Sequence, residues 1–97
     1  MTLFAVTRTH GLGFRADLPL EQQRDWRAHA EFMNGLLRGG FIVIGGPLEG
    51  TDDVLLIVRA ADAQEIERRF AADPWSGDLL TIKQIVPWNL RLGSLDR

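Results

Sequence analysis

The sequence contains no cysteine, which excludes a disulfide-stabilised scaffold, a thiolate metal site and a cysteine nucleophile. It also lacks a surplus of positive charge, because 11 lysines and arginines stand against 13 aspartates and glutamates. Nucleic-acid-binding domains normally carry such a surplus, so we expect no nucleic-acid partner. The longest apolar runs, among them residues 54–58, are far shorter than the roughly 20 residues that cross a bilayer. We therefore expect no membrane partner either.

The chain also lacks the marks of a secretory leader and of several domains. Residues 1–6 are mostly apolar, but no basic segment precedes them and no small-residue cleavage site follows before Arg8. We therefore expect a cytoplasmic protein. The 97 residues, 45% apolar and 25% charged, contain no internal repeat or linker, so we expect one globular domain over residues 1–97.

Hydrophobic periodicity and the positions of glycine and proline predict the element order β-α-β-β-α-β. Apolar segments bounded by turn residues predict strands over residues 3–8, 41–44, 54–59 and 79–86. A helical pattern predicts a first helix over residues 20–38. A second helix is predicted to open at Asp62 with a capping box to Glu65 and to close at residues 73–74. Crossover rules favour an α+β, ferredoxin-like fold, in which both helices cover one face of an antiparallel four-stranded sheet.

Side-chain periodicity predicts which face of each element is buried. The apolar stripe of the first helix consists of residues at helical spacing, Trp26, His29, Ala30, Met33 and Leu37. One face of the fourth strand is predicted to carry Leu80, Ile82, Gln84 and Val86. The second and third strands are apolar on both faces, as residues 41–44 and 54–58 show. Because an exposed apolar face of this size is unusual in a monomer, we expect it to pack against a second copy of the chain in a two-fold homodimer.

His29 and Asp73 are the main candidates for chemistry. The spacing of His29 places an imidazole on the apolar stripe, where partial burial can tune it as a proton donor or acceptor. The alternative is a core histidine that only hydrogen-bonds a backbone carbonyl. Asp73 would fix the tautomer of a neighbouring imidazole, although aspartate before proline is also ordinary turn chemistry. Linear spacing leaves open whether the two side chains meet.

The remaining polar residues give weaker indications. His10 and His29 show no metal-binding spacing such as HxH or HExxH, so we expect no metal site and no cofactor. Arg8 and His10, at the end of the first strand, are candidates for steering an anionic substrate, and Arg8 for binding an oxyanion; the alternative is a solvated strand end.

Several short motifs occur in an order and spacing that resemble a known family. The helix that carries His29 reads Arg-Ala-His-Ala-Glu-Phe over residues 27–32, and Gly-Pro-Leu at residues 46–48 follows the second strand. Asp-Pro-Trp stands at residues 73–75, and the last strand ends in Val-Pro-Trp at residues 86–88. Across nearly the whole chain, this arrangement resembles the YCII-related domain family.

The resemblance implies a dimeric α+β barrel in which two ferredoxin-like sheets close on each other. The family is related in fold to muconolactone-isomerase-like proteins and antibiotic-biosynthesis monooxygenases. Its characteristic histidine and aspartate, proposed as a pair in a small-molecule cleft, match His29 and Asp73. Most members have no assigned reaction, and dehydrochlorination of a chlorinated hydroxyquinol is an activity attributed within the family.

Two main hypotheses of function follow. The first is a cofactor-free, isomerase- or lyase-like enzyme that moves a proton on a cyclic or aromatic metabolite, with His29 and Asp73 as the catalytic pair. Its substrate-binding residues would be Arg8, Phe32, Pro47 and Trp75. The second is a non-catalytic dimeric module that binds a small ligand in the same pocket. A haem-binding protein with His29 as axial ligand is a third alternative.

Overall fold

The computed structural model describes residues 2–95 of the chain. Four antiparallel strands form one sheet: β1 (Thr2–His10), β2 (Ile42–Pro47), β3 (Asp53–Ala60) and β4 (Leu80–Pro87). The helical elements are α1 (Trp26–Arg38), α2 (Ala63–Phe70) and a single 3-10 turn (Leu20–Gln22). The strands lie in the order β2-β3-β1-β4. The predicted α+β class, with a four-stranded antiparallel sheet and two helices, is confirmed.

Both helices pack on the same face of the sheet. The main core joins alternate residues of β1 and β3 to apolar residues of the two helices, Phe4, Val6, Leu56, Val58, Leu36, Ile66 and Phe70. Full burial of one such side chain stabilises the fold by roughly 1.5–3 kcal/mol, so this cluster is the main force that holds the helices to the sheet. Within residues 2–95, neither helix has the length and apolar character needed to traverse a bilayer.

α1 begins at Trp26, later than the helical pattern of the sequence predicts. The chain is extended at Gln23 and adopts a left-handed φ of 58° at Asp25, so the helix cannot start before these residues. The buried Gln23 side chain donates from Nε2 to the carbonyls of Arg15 and Leu18 at 2.6 and 3.1 Å. These bonds anchor the connection between β1 and α1 as an ordered loop instead of a helical turn.

The sequence pattern predicts that the buried stripe of α1 ends on Leu37. In the structure it ends on Leu36. Leu36 is 6% exposed and belongs to the main core, whereas Leu37 is 49% exposed. Counted from His29, these residues stand at i+7 and i+8, and both positions fit one helical stripe. The contact of α1 with the sheet decides between them, so the prediction for Leu37 is wrong.

A β-bulge reverses the faces in the second half of β4. Ile82 pairs with Arg8, and Gln84 pairs with the preceding residue of β1, so β4 carries one extra residue at this point. As a result Ile85, and not Gln84, packs against the main core together with Ile82. The prediction that Gln84 and Val86 share a face with Ile82 is therefore wrong, because strict alternation does not allow for an inserted residue.

α2 begins with the predicted side-chain cap. The Asp62 carboxylate accepts a hydrogen bond from the Glu65 N–H at 2.8 Å, and the Glu65 carboxylate accepts one from the Ala61 N–H at 2.7 Å. These bonds satisfy N–H groups that have no partner within the first turn of a helix. The helix ends at Phe70, and in the turn that follows, the Asp73 N–H donates to the Phe70 carbonyl at 3.0 Å.

The face of the sheet opposite the helices, here called the open face, is only partly covered. Its apolar side chains include Leu3, Ile44, Leu55, Ile57 and Val86. Ile57 is 4% exposed within the single chain, whereas Ile44 is 52% exposed. The segment after β4 returns to this face, because the Leu95 carbonyl accepts a hydrogen bond from Arg59 Nη2 at 3.0 Å. The chain itself thus lies against part of the surface that the sequence predicts to be covered by a second copy.

Backbone hydrogen bonds from two glycines connect the loop after β1 to the segment before β4. The N–H groups of Gly11 and Gly13 donate to the carbonyls of Leu79 and Asp78 at 2.8 and 3.0 Å. A Cβ placed on Gly11 would collide with the backbone carbonyl of Asp78. The loop can approach the sheet this closely only because this position has no side chain.

We expect Gly11→Ala to lower the free energy of unfolding by about 1–3 kcal/mol, because the added methyl must displace backbone and not a flexible side chain. Urea denaturation measures the effect. Gly35→Ala is the matched control: its Cβ would meet nothing closer than 3.9 Å, and it lies inside α1. There the same change should stabilise the protein by about 0.5–1 kcal/mol. Equal effects of the two substitutions would contradict the collision at Gly11.

Candidate functional site

Three ionisable side chains from separate parts of the chain meet in the interior. Arg8 lies in β1, His29 near the start of α1, and Asp73 in the turn after α2. Asp73 Oδ2 accepts from Arg8 Nη1 at 2.8 Å, and His29 Nδ1 lies 2.9 and 3.0 Å from the two Asp73 oxygens. Arg8 is 1%, Asp73 3% and His29 8% exposed. The structure therefore brings together His29 and Asp73, whose contact the linear spacing left open.

The carboxylate of Asp73 takes part in a turn and in the contact with His29 at the same time. Its Oδ1 accepts a hydrogen bond from the Trp75 N–H at 3.0 Å, and its carbonyl accepts one from the Ser76 N–H at 2.9 Å. A side chain that binds the N–H two residues further on is ordinary aspartate turn chemistry. The same Oδ1 also contacts His29. The turn thus holds the carboxylate in position for the imidazole, and the two roles considered for Asp73 are not alternatives.

The three partners of Asp73 keep its carboxyl ionised. Burial by itself would raise the pKa of Asp73, because desolvation disfavours the charged form. Hydrogen bonds from His29, the Trp75 N–H and Arg8 outweigh burial, so the pKa of Asp73 lies below its ordinary value. For Arg8, burial is the largest influence and lowers the pKa of the guanidinium, while Asp73 opposes this effect. Arginine stays protonated in proteins, so Arg8 and Asp73 form a buried ion pair.

The ionised carboxylate decides which nitrogen of His29 carries the proton. A carboxylate only accepts hydrogen bonds, so Nδ1–H of His29 donates to Asp73. In the neutral ring, Nε2 then carries a lone pair and no proton. No group within residues 2–95 hydrogen-bonds Nε2, and the His29 side chain retains 10% exposure. Nε2 is therefore available to a ligand.

Two tryptophans hold the plane of the His29 ring. The ring of Trp75 stacks on it, with centroids 3.8 Å apart and planes 5° from parallel. Trp75 is fully buried, and its indole N–H donates to the Arg24 carbonyl. Trp26 packs beside both rings, with its centroid 6.1 Å from that of His29. Because the stack fixes the ring plane and Asp73 fixes the direction of Nδ1, the imidazole has little freedom to reorient.

A cavity of about 340 Å³ adjoins this cluster. Its walls are mostly apolar, and the residues predicted as functional that line it are Arg8, His29, Pro47 and Trp75. Asp73 is not among the lining residues of this cavity, but it hydrogen-bonds Arg8 and His29, which are. Sites for small molecules are typically concave, apolar volumes of about 300–1,000 Å³ with a few converging polar groups. The cavity matches the lower end of that range.

Phe32 is not among the residues that line the cavity, so its role as a substrate-binding residue stays a prediction. It is partly buried and packs against the main core. Trp26, Ala30 and Met33 mark the side of α1 that faces the cavity. At about 100° per residue, all three lie on one flank of His29, whereas Phe32 lies about 60° away on the other flank. The stripe pattern identified the buried face of α1 but not which flank is left open.

Sequence reasoning missed the part of the wall that comes from the loop after β1. His10 and Phe14 stack with ring centroids 3.6 Å apart, and both line the cavity together with Leu20. The only signal for this wall is a set of four large apolar residues without regular spacing in the glycine-containing segment 11–20. No periodicity accompanies that signal, because the loop is held by Gln23 and the two glycines and not by regular structure.

The polar side chains that line this cavity include two imidazoles, the guanidinium of Arg8 and the amide of Asn34. His10 lies at its rim, with Nδ1 3.5 Å from Asp52, and His29 is bound to Asp73. In the part of the chain that the structure describes, no three histidine, aspartate or glutamate side chains converge as a metal site would require. The arrangement is suited to proton transfer and hydrogen bonding.

No protein-family model matches the chain. No curated protein matches it at a significant level. The resemblance to the YCII-related family therefore rests on the motifs of the sequence, and the function has to be proposed from the geometry of the site.

Proposed function

We propose that the protein is a cofactor-free, isomerase- or lyase-like enzyme that moves a proton on a small cyclic or aromatic molecule. The observation that carries the proposal is His29 at the cavity wall: its Nδ1 is held by Asp73, and its Nε2 has no hydrogen-bond partner among residues 2–95. A carboxylate in this position fixes the tautomer and stabilises the imidazolium that forms. Positioned acid–base catalysis of this kind contributes about 10²–10⁴-fold to a rate.

The proposed step begins with an acidic C–H bond of the substrate. Nε2 takes the proton, and the electron pair of the broken bond moves into a new double bond. In an isomerisation, the imidazolium returns the proton to the atom at the far end of the shifted double bond. In an elimination, the electron pair expels a leaving group such as halide, and the proton passes to water. Asp73 stays ionised throughout, because its pKa is held below the ordinary value.

The other walls of the cavity position the substrate. Pro47 of β2 and Trp75 contribute apolar surface, which fits the flat face of a ring. Arg8 holds the Asp73 carboxylate through the contact of Nη1 with Oδ2 at 2.8 Å. A mostly apolar wall also limits water near Nε2, and this strengthens the electrostatic contacts within the site.

The finer architecture that the resemblance implies belongs to the same proposal. Its elements are a ferredoxin-like topology, a homodimer that forms a barrel through the open face, and a cytoplasmic location. The strand order β2-β3-β1-β4 and the position of both helices on one face support the topology. The half-exposed Ile44 and Val86 of the open face support the dimer.

For the dimer, we expect light scattering to report twice the mass of one chain, and Ile44→Asp to reduce this value to a monomer. Ile44 is 52% exposed in the single chain, so the substitution should spare the fold while placing a charge within the interface. Leu12→Asp is the matched control, because Leu12 is fully exposed and lies outside the sheet. A wild-type monomer, or a dimer that persists in Ile44→Asp, would contradict the proposed interface.

The proposed chemistry can be tested without knowledge of the natural substrate. The protein is incubated in D₂O with a panel of cyclic ketones and lactones, and NMR follows the replacement of acidic C–H by C–D. Accelerated exchange supports proton transfer at the cavity. A compound that raises the melting temperature but gains no deuterium across the panel would favour the alternative function, a module that binds its ligand unchanged.

A further inference from the structure

The guanidinium of Arg8 has an edge that the ion pair with Asp73 leaves unused. Nη1 donates to Asp73 Oδ2 at 2.8 Å and contacts Met33 Sδ at 3.9 Å. Nε is fully buried and has no hydrogen-bond partner within residues 2–95. Nη2 makes no hydrogen bond to any of these residues either, although it is not fully buried. Nη1 lies on the Cδ side of the guanidinium, so Nε–H and one N–H of Nη2 form the opposite edge and point the same way.

A buried cation with free donors is an unusual feature that calls for an acceptor. Buried polar groups are nearly always hydrogen-bonded, because lost water contacts must be replaced. Arg8 is 1% exposed and belongs to the cavity wall, and the ring of Phe70 lies 4.8 Å from its Cζ. No residue of the described chain supplies the missing acceptor. Because Arg8 lines the cavity, a ligand there would approach this edge through Nη2, the one of the two donors that is not fully buried.

We propose that the free edge of Arg8 binds the carbonyl oxygen of the substrate and stabilises the negative charge that develops there. This inference rests on the proposed function and narrows its substrate to a neutral cyclic carbonyl compound with an acidic C–H next to the carbonyl. When that C–H breaks, the proton goes to His29 Nε2 and its electron pair forms a C–C double bond. The carbonyl π pair moves onto oxygen, which becomes an enolate held by Arg8. Donors fixed where charge develops are typically the largest single contribution to catalysis.

The charges of the cluster favour a neutral carbonyl over a permanent anion. Before the step, the positive charge of Arg8 and the negative charge of Asp73 cancel, and neither the neutral imidazole of His29 nor the substrate carries a charge. After it, the imidazolium lies beside Asp73 and the enolate beside Arg8, so the sum is unchanged and each new charge has an opposite neighbour. A carboxylate ligand would instead leave a net negative charge in the cavity while His29 is neutral, and burial makes such a charge costly.

Binding of 4-nitrophenol to the wild-type protein tests whether the free edge of Arg8 stabilises an oxyanion. The phenolate resembles the enolate, because both are planar conjugated anions with negative charge on an oxygen that accepts hydrogen bonds, and 4-nitrophenol reports its ionisation by absorbance. We expect the protein to bind it as the phenolate, with the proton on His29, at a pH where the free compound is mostly neutral. Binding should be about 10²-fold tighter than that of 4-nitroanisole, which cannot ionise. Binding as neutral phenol, or with no preference over the anisole, would overturn the proposal.

Arg8→Lys tests the same edge by substitution. Lysine keeps a positive charge for Asp73 but lacks the pair of parallel donors. We expect the exchange rate of a cyclic ketone to fall about 10²–10³-fold and the preference for nitrophenolate to disappear. Arg15→Lys is the matched control, because Arg15 is exposed and pairs only with Asp17 among the described residues. If Arg8→Lys folds and retains wild-type exchange, the assigned role is wrong.

The two proposals fail in distinguishable ways. If C–H exchange depends on His29 but the protein shows no preference for nitrophenolate over nitroanisole, the proposed proton transfer stands and the role of Arg8 is overturned. A strong phenolate preference without exchange of any panel compound would overturn the enzymatic function, and with it the enolate, and would leave a binding site for anionic rings.

Discussion

Replacing Asp73 with asparagine will lower the free energy of unfolding by roughly 3–5 kcal/mol, because it leaves the buried charge of Arg8 without its partner. Arg8 is 1% exposed and Asp73 3%, so water cannot substitute for the lost carboxylate. The asparagine amide has one acceptor oxygen, whereas Asp73 accepts from Arg8, His29 and the Trp75 N–H. Urea denaturation with linear extrapolation measures the change.

A double-mutant cycle separates the ion pair from the shape of the site. Arg8→Met alone leaves the Asp73 charge buried without its cationic partner, while Arg8→Met with Asp73→Asn removes both charges. We expect the double variant to be less destabilised than the sum of the single variants. Asp17→Asn serves as a surface control, because the Arg15–Asp17 pair is exposed and its removal should leave stability unchanged. Additive effects at Arg8 and Asp73 would show that the pair does not act as a unit.

The depressed pKa of Asp73 also predicts how stability depends on pH. A carboxyl whose pKa is lower in the folded than in the unfolded state contributes stability that is fully present above the unfolded value of about 3.9. That contribution is lost as the pH falls through the folded pKa. Below about pH 5 the wild type should therefore lose stability more steeply than Asp73→Asn, and denaturation curves at several pH values measure both slopes.

Replacing His29 with glutamine will lower the rate of catalysed C–H exchange by about 10²–10⁴-fold, because an amide cannot take up the proton that Nε2 accepts. Glutamine keeps a polar N–H that can reach Asp73 and a volume close to that of histidine, so the cavity should persist. NMR in D₂O measures the rate, and circular dichroism checks the fold.

His10→Gln provides the matched control for this prediction. His10 also lines the cavity, but its side chain is 27% exposed and its Nδ1 lies 3.5 Å from the exposed Asp52. It therefore lacks the buried carboxylate that orients His29. We expect a loss of less than about tenfold for His10→Gln. If His10→Gln removes exchange and His29→Gln retains it, the base has been assigned to the wrong histidine.

Individual residues of the site differ in how far the sequence predicts them. His29 follows from its place on the apolar stripe, and Asp73 from its position between α2 and Pro74 together with the family resemblance. Phe14 and Leu20 were missed, because an irregular loop carries no periodic signal. Phe32 lies on the flank of α1 away from the residues that line the cavity, and the prediction for the faces of Gln84 and Val86 is wrong, because a bulge inserts one residue into β4.

The sequence by itself determined the α+β class, the two helices and the four strands, because periodicity, caps and turn residues act over a few neighbouring positions. It also determined which chemical groups were available. Only the tertiary structure decided which of them meet, since 44 positions separate His29 from Asp73 and 65 separate Arg8 from Asp73. Those contacts depend on how β1, α1 and the turn after α2 pack together. Among residues 2–95, the same packing leaves one edge of Arg8 without an acceptor, which no local pattern of residues reveals.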